Sequence, residues 1–317
     1  MSVAVVGAGA FGTGLAIALA RKSPVTLWAR DADHVQEMNA MGMNQRRLPT
    51  AIFPKGLRVT DKMTSHDVML LAVPMQQILP LLEKYSDVFA RRTLVACCKG
   101  IDLKTRLGAV DLIAQAVPSS VPAILTGPSF AADIANGLPT ALTLACADNA
   151  TGLHLQEALS TASLRLYRTS DVQGATLGGA LKNVMAIACG VTTGAGLGHS
   201  ARAALMTRGF AEMSRFAVSR GADPSTLAGL SGFGDLALTC TSEGSRNYRY
   251  GISIGSNVGF DRSVTVEGAS TALALKALAD EEKLDMPITQ TVAALVETKM
   301  DVETAVTALM SRPLKEE

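Results

Sequence analysis

The sequence is poor in the residues around which metal and thiol chemistry is built, with 5 cysteines and 4 histidines in 317 residues. Cys97, Cys98, Cys146, Cys189 and Cys240 are odd in number, lie in apolar or mixed settings and show neither CxxC nor Cys/His zinc spacing. That excludes a disulfide framework and reads as buried thiols in a reducing cytoplasm. His34, His66, His154 and His199 are too scattered for an HExxH helix or a catalytic dyad, so no metal is expected. An excess of one charge is missing as well: 29 Lys+Arg face 28 Asp+Glu. No general field draws nucleic acid or anionic lipid, and an anionic ligand needs a local site. Long apolar runs are also lacking, since no window reaches the ~20 uninterrupted residues of a membrane helix. The apolar N-terminus, "MSVAVVGAGAFGTGLAIALARK", has no basic segment before it and is broken by glycines. The expectation is a soluble, cytoplasmic protein with no membrane insertion.

What is present suffices for two cores: 48% of residues are hydrophobic, and the length is about twice the ~150-residue prior for one domain. From Met1 to about Tyr167, short β-branched runs alternate with helical stretches. "VAVVGAG", "PVTLWAR", "DVMLLAV", "TLVACC", "PAILTG" and "ALTLAC" are the predicted strands. Continuous apolar runs of this kind predict a parallel sheet buried on both faces. Beyond Thr169 the pattern turns helical, with helices predicted at 173–189, 201–219, 269–282 and 288–297 and Gly-rich loops at 190–198 and 229–235. The fold class is therefore α/β: a Rossmann-type doubly wound sheet over 1–170, followed by an all-helical substrate and catalytic domain over 171–317. The terminal "RPLKEE" reads as a short solvated tail.

"VAVVGAGAFGTGLAIALA" runs strand, turn, helix, and the turn holds Gly7-x-Gly9-x-x-Gly12. Gly7 permits the tight turn, Gly9 lets backbone approach a pyrophosphate, and Gly12 allows close helix–strand packing. The second strand should end near a ribose-reading residue. Here stand Ala29 and Arg30, with Asp31 next. A guanidinium fork suits a 2′-phosphate, so NADP(H) is favoured and NAD(H) possible. The plainer alternative is a solvated Arg30 beside an Asp31 that caps the next helix.

"GGALKNVMAIACG", residues 178–190, sets Lys182 and Asn183 in an otherwise apolar helix. Lys182 shares a face with Gly178, Gly179, Met185 and Ala186, small neighbours that would leave a recess. A desolvated lysine has its pKa pulled toward neutrality unless a carboxylate holds it charged, and either state suits proton transfer. Snorkelling at the helix edge is the structural alternative. Asp235, next to apolar "LAL", needs a partner, and Lys182 is a candidate; a helix cap is its alternative. Ser245, Arg246, Asn247 and Arg249 read as a polar loop, and Ser-Arg-Asn gathers groups suited to phosphate oxygens.

Together these motifs resemble the bacterial NAD(P)-dependent glycerol-3-phosphate dehydrogenases over almost the whole chain. "GAGAFGTGLA", "CCKGID", "LTGPSFA", "GGALKNVMAIACG", "ARAALMTRGFAEM", "GFGDLALTCTSEGSRNYRYG" and "VEG" carry the resemblance. It implies reversible reduction of dihydroxyacetone phosphate to sn-glycerol 3-phosphate, supplying glycerophospholipid synthesis, in a homodimer. By the same resemblance Lys182 transfers the proton and Asp235 helps hold it and the substrate. Lys99, Gly127 and Ser129 join the substrate site with Ser245, Arg246 and Asn247. Ala10, Phe11, Arg30, Lys99, Ala131, Arg246, Thr265 and Glu267 match cofactor contacts. The chain departs at Ala10-Phe11, where Ser-Trp is common, and at Gly14, where alanine is usual. A related two-domain reductase of a small hydroxy acid, of β-hydroxyacid or ketopantoate type, is the rival, and a non-catalytic NADPH-binding regulator is another.

Overall fold

The computed structural model describes residues 1–311, and the "RPLKEE" tail lies outside them. Ten strands are present among the described residues: β1 (Val3–Val6), β2 (Val25–Trp28), β3 (Met43–Asn44), β4 (Leu48–Ile52), β5 (Leu57–Thr60), β6 (Val68–Leu71), β7 (Thr93–Ala96), β8 (Val121–Thr126), β9 (Thr140–Cys146) and β10 (Leu164–Thr169). Eight of them form one sheet in the order β10-β9-β8-β7-β6-β1-β2-β5, while β3 and β4 pair separately. The run β5-β2-β1-β6-β7-β8 is the doubly wound dinucleotide-binding order, whose crevice opens between β1 and β6. β1 and β6 are buried along their whole length. Separate apolar clusters cover the two faces of the sheet, one around Leu15, Leu27 and Leu70 and the other around Met69, Phe89 and Leu94.

The expected all-parallel sheet needs correction, because β8 pairs antiparallel with β9. The fingerprint region is parallel throughout, and the reversal lies at the end that leads into the helices. β5 and β10, which carry no continuous apolar run, occupy the sheet edges.

After β10 the chain enters a helix directly. The Asp171 carboxylate caps it, accepting from Gly174 N at 2.8 Å, and we propose a domain boundary between residues 170 and 171. This central helix, Val172–Gly194, extends into the predicted loop at 190–198 and leaves only residues 195–197 outside helix before the next one, Gly198–Ser219. Gly190 lies inside the helix and Gly194 is its last residue, and both let another helix touch it. A Cβ at Gly190 would lie 2.1 Å from the Tyr248 carbonyl, and one at Gly194 2.2 Å from that of Ile252. The second predicted loop is also helical, a π-turn over Leu230–Gly234.

The central helix is also long and apolar enough to cross a membrane by length and composition, against expectation, and its apolar window is 100% buried within the protein. It is the axis of the helical core, packed by Met213, Phe216, Leu236, Tyr248, Leu275 and Val292. Gly190→Ala should therefore lower unfolding free energy by about 1–3 kcal/mol or more through overpacking, as urea denaturation would show; unchanged stability would contradict this packing.

Candidate active site

The central helix buries Lys182 half-way along its length. Its ammonium lies 3.0 Å from Asp235 Oδ1 and donates to Thr239 Oγ1 at 2.6 Å. Asp235 opens the helix Asp235–Thr241 directly after the π-turn, and Thr239 follows one turn later on the same face. Asp235 does not cap that helix with its side chain. Its second oxygen accepts from Lys99 Nζ at 2.6 Å, and Lys99 also donates to the Gly127 carbonyl at 2.8 Å. One carboxylate, 1% exposed, thus stands between two lysines from different parts of the fold.

Burial acts to raise the pKa of Asp235, but Lys182 and Lys99 overcome it and hold the carboxyl below its ordinary range. Lys182 responds oppositely. Desolvation lowers its pKa to about 8, with Asp235 pulling it up and Lys99 pushing it down.

The small residues beside Lys182 do not leave an empty recess as predicted. A Cβ on Gly178 would meet the Ser231 carbonyl at 2.8 Å, and one on Gly179 would meet Thr126 Oγ1 at 2.6 Å. Those glycines instead admit the π-turn and the end of β8, the two segments that deliver Asp235 and Gly127.

The predicted polar loop at 245–249 is also a helix. Ser245 caps Arg246–Gly255, its hydroxyl accepting from Tyr248 N at 3.2 Å. Arg246 is exposed on the first turn, while Asn247 is buried. Asn247 donates to Asn183 Oδ1 at 2.9 Å and accepts from Gly268 N at 2.9 Å, and Asn183 donates to the Lys99 carbonyl at 3.0 Å. This chain fixes the spacing of four segments, those that carry Lys99, Asn183, Asn247 and Gly268. Ser129, partly buried, donates to the Gly127 carbonyl at 3.2 Å. Sequence reasoning missed Thr239 and gave Asn183 no role. Thr239 had a usable signal, four residues after Asp235 on one helix, and Asn183 had only its place beside Lys182.

Of the cofactor candidates, the glycine turn lies at the crevice, with Gly7 and Gly12 packed against Ala72 just after β6. Gly7 has φ +117°, and a Cβ there would meet the Ala72 carbonyl at 2.6 Å. At Gly9, the cap of the helix Ala10–Ala20, a Cβ would meet nothing within 4 Å. No side chain caps that helix and no acidic residue stands in its first turn, so its N-terminus is open to an anion. Gly12 and Phe11 are buried and half-buried against the sheet, and Ala10 is half-buried. Ala131 abuts the helix, its carbonyl 2.5 Å from where a Cβ on Gly14 would be, so the unusual glycine there permits a close approach. Arg30 is exposed and has no ion-pair partner among the described residues; Asp31 caps the next helix and pairs with Arg46.

Glu267 reaches across from the helical part, accepting from Met75 N at 3.0 Å. Burial raises its carboxyl to about 7, opposed by the Met75 N–H and Arg246. Its Oε2 is buried without a hydrogen-bond partner, while Thr265 is exposed two residues earlier. An open helix N-terminus, an unfilled cradle at Gly9 and an orphaned acceptor at Glu267 fit a dinucleotide.

Comparison with known proteins decides the family. Models of the N-terminal and C-terminal parts of NAD-dependent glycerol-3-phosphate dehydrogenase match residues 2–152 and 171–307. The chain belongs to the NAD-dependent glycerol-3-phosphate dehydrogenase family. It is 59% identical over 320 residues to glycerol-3-phosphate dehydrogenase [NAD(P)+] of Ruegeria sp. (strain TM1040), covering 100% of both chains. Identity to the enzyme of the same name from Paracoccus denitrificans is 56%, again over 100% of both. The crystal structure of glycerol-3-phosphate dehydrogenase from Coxiella burnetii superposes with a TM-score of 0.92 at 35% identity, covering 98% of this chain and 99% of that one. A 2-dehydropantoate 2-reductase described as putative, from Enterococcus faecalis, reaches a TM-score of 0.53 at 15% identity. That is likeness of fold alone, so the family assignment is favoured over the hydroxy-acid rival. The chain is accordingly an NAD(P)-dependent oxidoreductase.

Removing the charge of Asp235 removes the attraction that raises the Lys182 pKa. In Asp235→Asn the ammonium should therefore lose its proton below about 8, moving any pH limb governed by Lys182 to lower pH. A limb that stays in place, or moves alkaline, contradicts the pairing.

Proposed function

We propose that this protein interconverts dihydroxyacetone phosphate and sn-glycerol 3-phosphate, using Lys182 as proton carrier. The observation that supports it best is the buried Lys182–Asp235–Lys99 cluster, tied through Asn183 and Asn247 to the helix that Arg246 opens. The bound nicotinamide supplies or accepts the hydride. Lys182 holds the substrate oxygen at C2 and gives it a proton as negative charge develops there. Asp235 keeps that ammonium aimed and raises its pKa, while Lys99 anchors Asp235 to the Gly127 carbonyl and leaves the cluster net positive. Arg246, with the dipole of the helix it opens, suits the phosphate end of the substrate. Asn247 and Ser245 act in this proposal partly by setting where that helix begins.

Ketone reduction requires Lys182 charged and alcohol oxidation requires it neutral. Reduction therefore weakens, and oxidation strengthens, as pH rises through about 8.

We assign dinucleotide binding to Gly7, Gly9, Ala10, Phe11 and Gly12, with Ala131, Thr265 and Glu267 as further contacts carried over from the resemblance. NADPH is proposed over NADH because Arg30, exposed and without an ion-pair partner among the described residues, stands at the end of β2. Five buried free thiols support the cytoplasmic setting, and homodimerisation is carried over from the resemblance.

Two measurements test this reading. NADPH oxidation at 340 nm should proceed with dihydroxyacetone phosphate and not with dihydroxyacetone; equal rates, or none with either, would contradict the assignment. Arg30→Ala should cut the NADPH-over-NADH ratio of kcat/KM by about tenfold or more, as loss of a charge-assisted contact implies, and an unchanged ratio would place the 2′-phosphate elsewhere.

A further inference from the structure

Asn44, in the two-residue strand β3, is 0% exposed and plays no part in the chemistry above. Its amide nitrogen donates to the Ala8 carbonyl at 3.0 Å and to Thr13 Oγ1 at 2.8 Å. Its oxygen accepts from the backbone N–H of Arg47 at 3.2 Å and lies 3.0 Å from His34 Nε2. The Ala8 carbonyl can only accept, so the nitrogen must face it and both amide hydrogens are committed. The oxygen then faces His34, and Nε2 must carry the imidazole proton. Every hydrogen-bonding position of this one side chain is filled.

The partners are telling. Ala8 lies between Gly7 and Gly9, and Thr13 lies in the first turns of the helix Ala10–Ala20. His34 belongs to the helix Ala32–Met41, whose cap Asp31 follows Arg30. Packing holds the turn at Gly7, but a Cβ position with nothing within 4 Å shows no such restraint at Gly9. Glycine backbone is conformationally loose, and ordering it upon binding would cost affinity.

We propose that Asn44 is a positioning residue for the dinucleotide. It freezes the Ala8 peptide, and with it the open helix N-terminus, at a set distance from the helix that begins beside Arg30. The pyrophosphate end and the ribose end of the site are thereby held in register before the ligand arrives. This inference rests on placing the dinucleotide at the glycine turn.

The test is NADPH affinity, read by nucleotide fluorescence, together with the KM for dihydroxyacetone phosphate at saturating NADPH. Asn44→Leu keeps the approximate volume and removes every polar contact. It should raise the Kd for NADPH by about tenfold or more while the ketone KM stays within about twofold. A folded variant with parent-like Kd overturns the proposal, as does an equal loss in both constants.

Should Asn44→Leu not fold, a pair at His34 decides. His34→Gln retains an N–H donor for the Asn44 oxygen and should keep the parent Kd, whereas His34→Leu should raise it severalfold. Equal affinity in that pair overturns the proposal.

Gly9→Val separates the two levels of the argument, because a Cβ there meets nothing within 4 Å and the branched side chain adds bulk where the ligand is proposed to lie. If it leaves NADPH binding intact, the underlying placement fails. If it abolishes binding while Asn44→Leu binds as the parent does, only the role of Asn44 fails.

Discussion

The buried carboxylate of Asp235, shared between Lys182 and Lys99, is the interaction on which the rest of the site depends. Burying three charges is a poor route to stability, because desolvation offsets most of the attraction. Its value here is positional. The carboxylate fixes two cations from opposite parts of the chain on one point, and Thr239 closes the contact by accepting from Lys182 at 2.6 Å. The charge arithmetic also matters. Two lysines against one carboxylate leave a net positive cavity, suited to an anionic substrate in a protein of formal net charge +1.

That arrangement depends in turn on close packing around the central helix. Gly178 and Gly179 admit the π-turn and β8, while Gly190 and Gly194 admit the helix that carries Arg246. At Gly178, Gly190 and Gly194 the space of a side chain is taken by neighbouring backbone, and at Gly179 by the Thr126 hydroxyl, so the segments bearing Asp235, Gly127 and Arg246 pack directly on the central helix. Glu267 then links this unit to the dinucleotide-binding sheet through the Met75 N–H.

Much of this was legible in the residues. The strands beside the crevice are short apolar runs because they are buried on both faces, and the glycine fingerprint places the turn after β1. Lys182 stood out against its apolar helix, and its pairing with Asp235 could be suggested from the cost of burying either alone. The remainder depended on contacts between distant segments. No local pattern says that Lys99 meets Asp235, 136 residues away, or that Asn44 lies beneath Ala8. Glycines that end helices and glycines that admit neighbours look alike in sequence, which is why residues 190–194 read as loop. The antiparallel turn of β9 was hidden because a buried antiparallel strand carries the same continuous apolar run as a parallel one.

The central claim, that Lys182 moves the proton, is tested most directly by single-turnover reduction of dihydroxyacetone phosphate by Lys182→Ala with NADPH already bound. The account predicts parent-like NADPH affinity and a chemical step slowed by about 10²–10⁴-fold, the usual contribution of a positioned acid. A step within a few-fold of the parent would contradict it and leave Lys182 as a structural partner of Asp235.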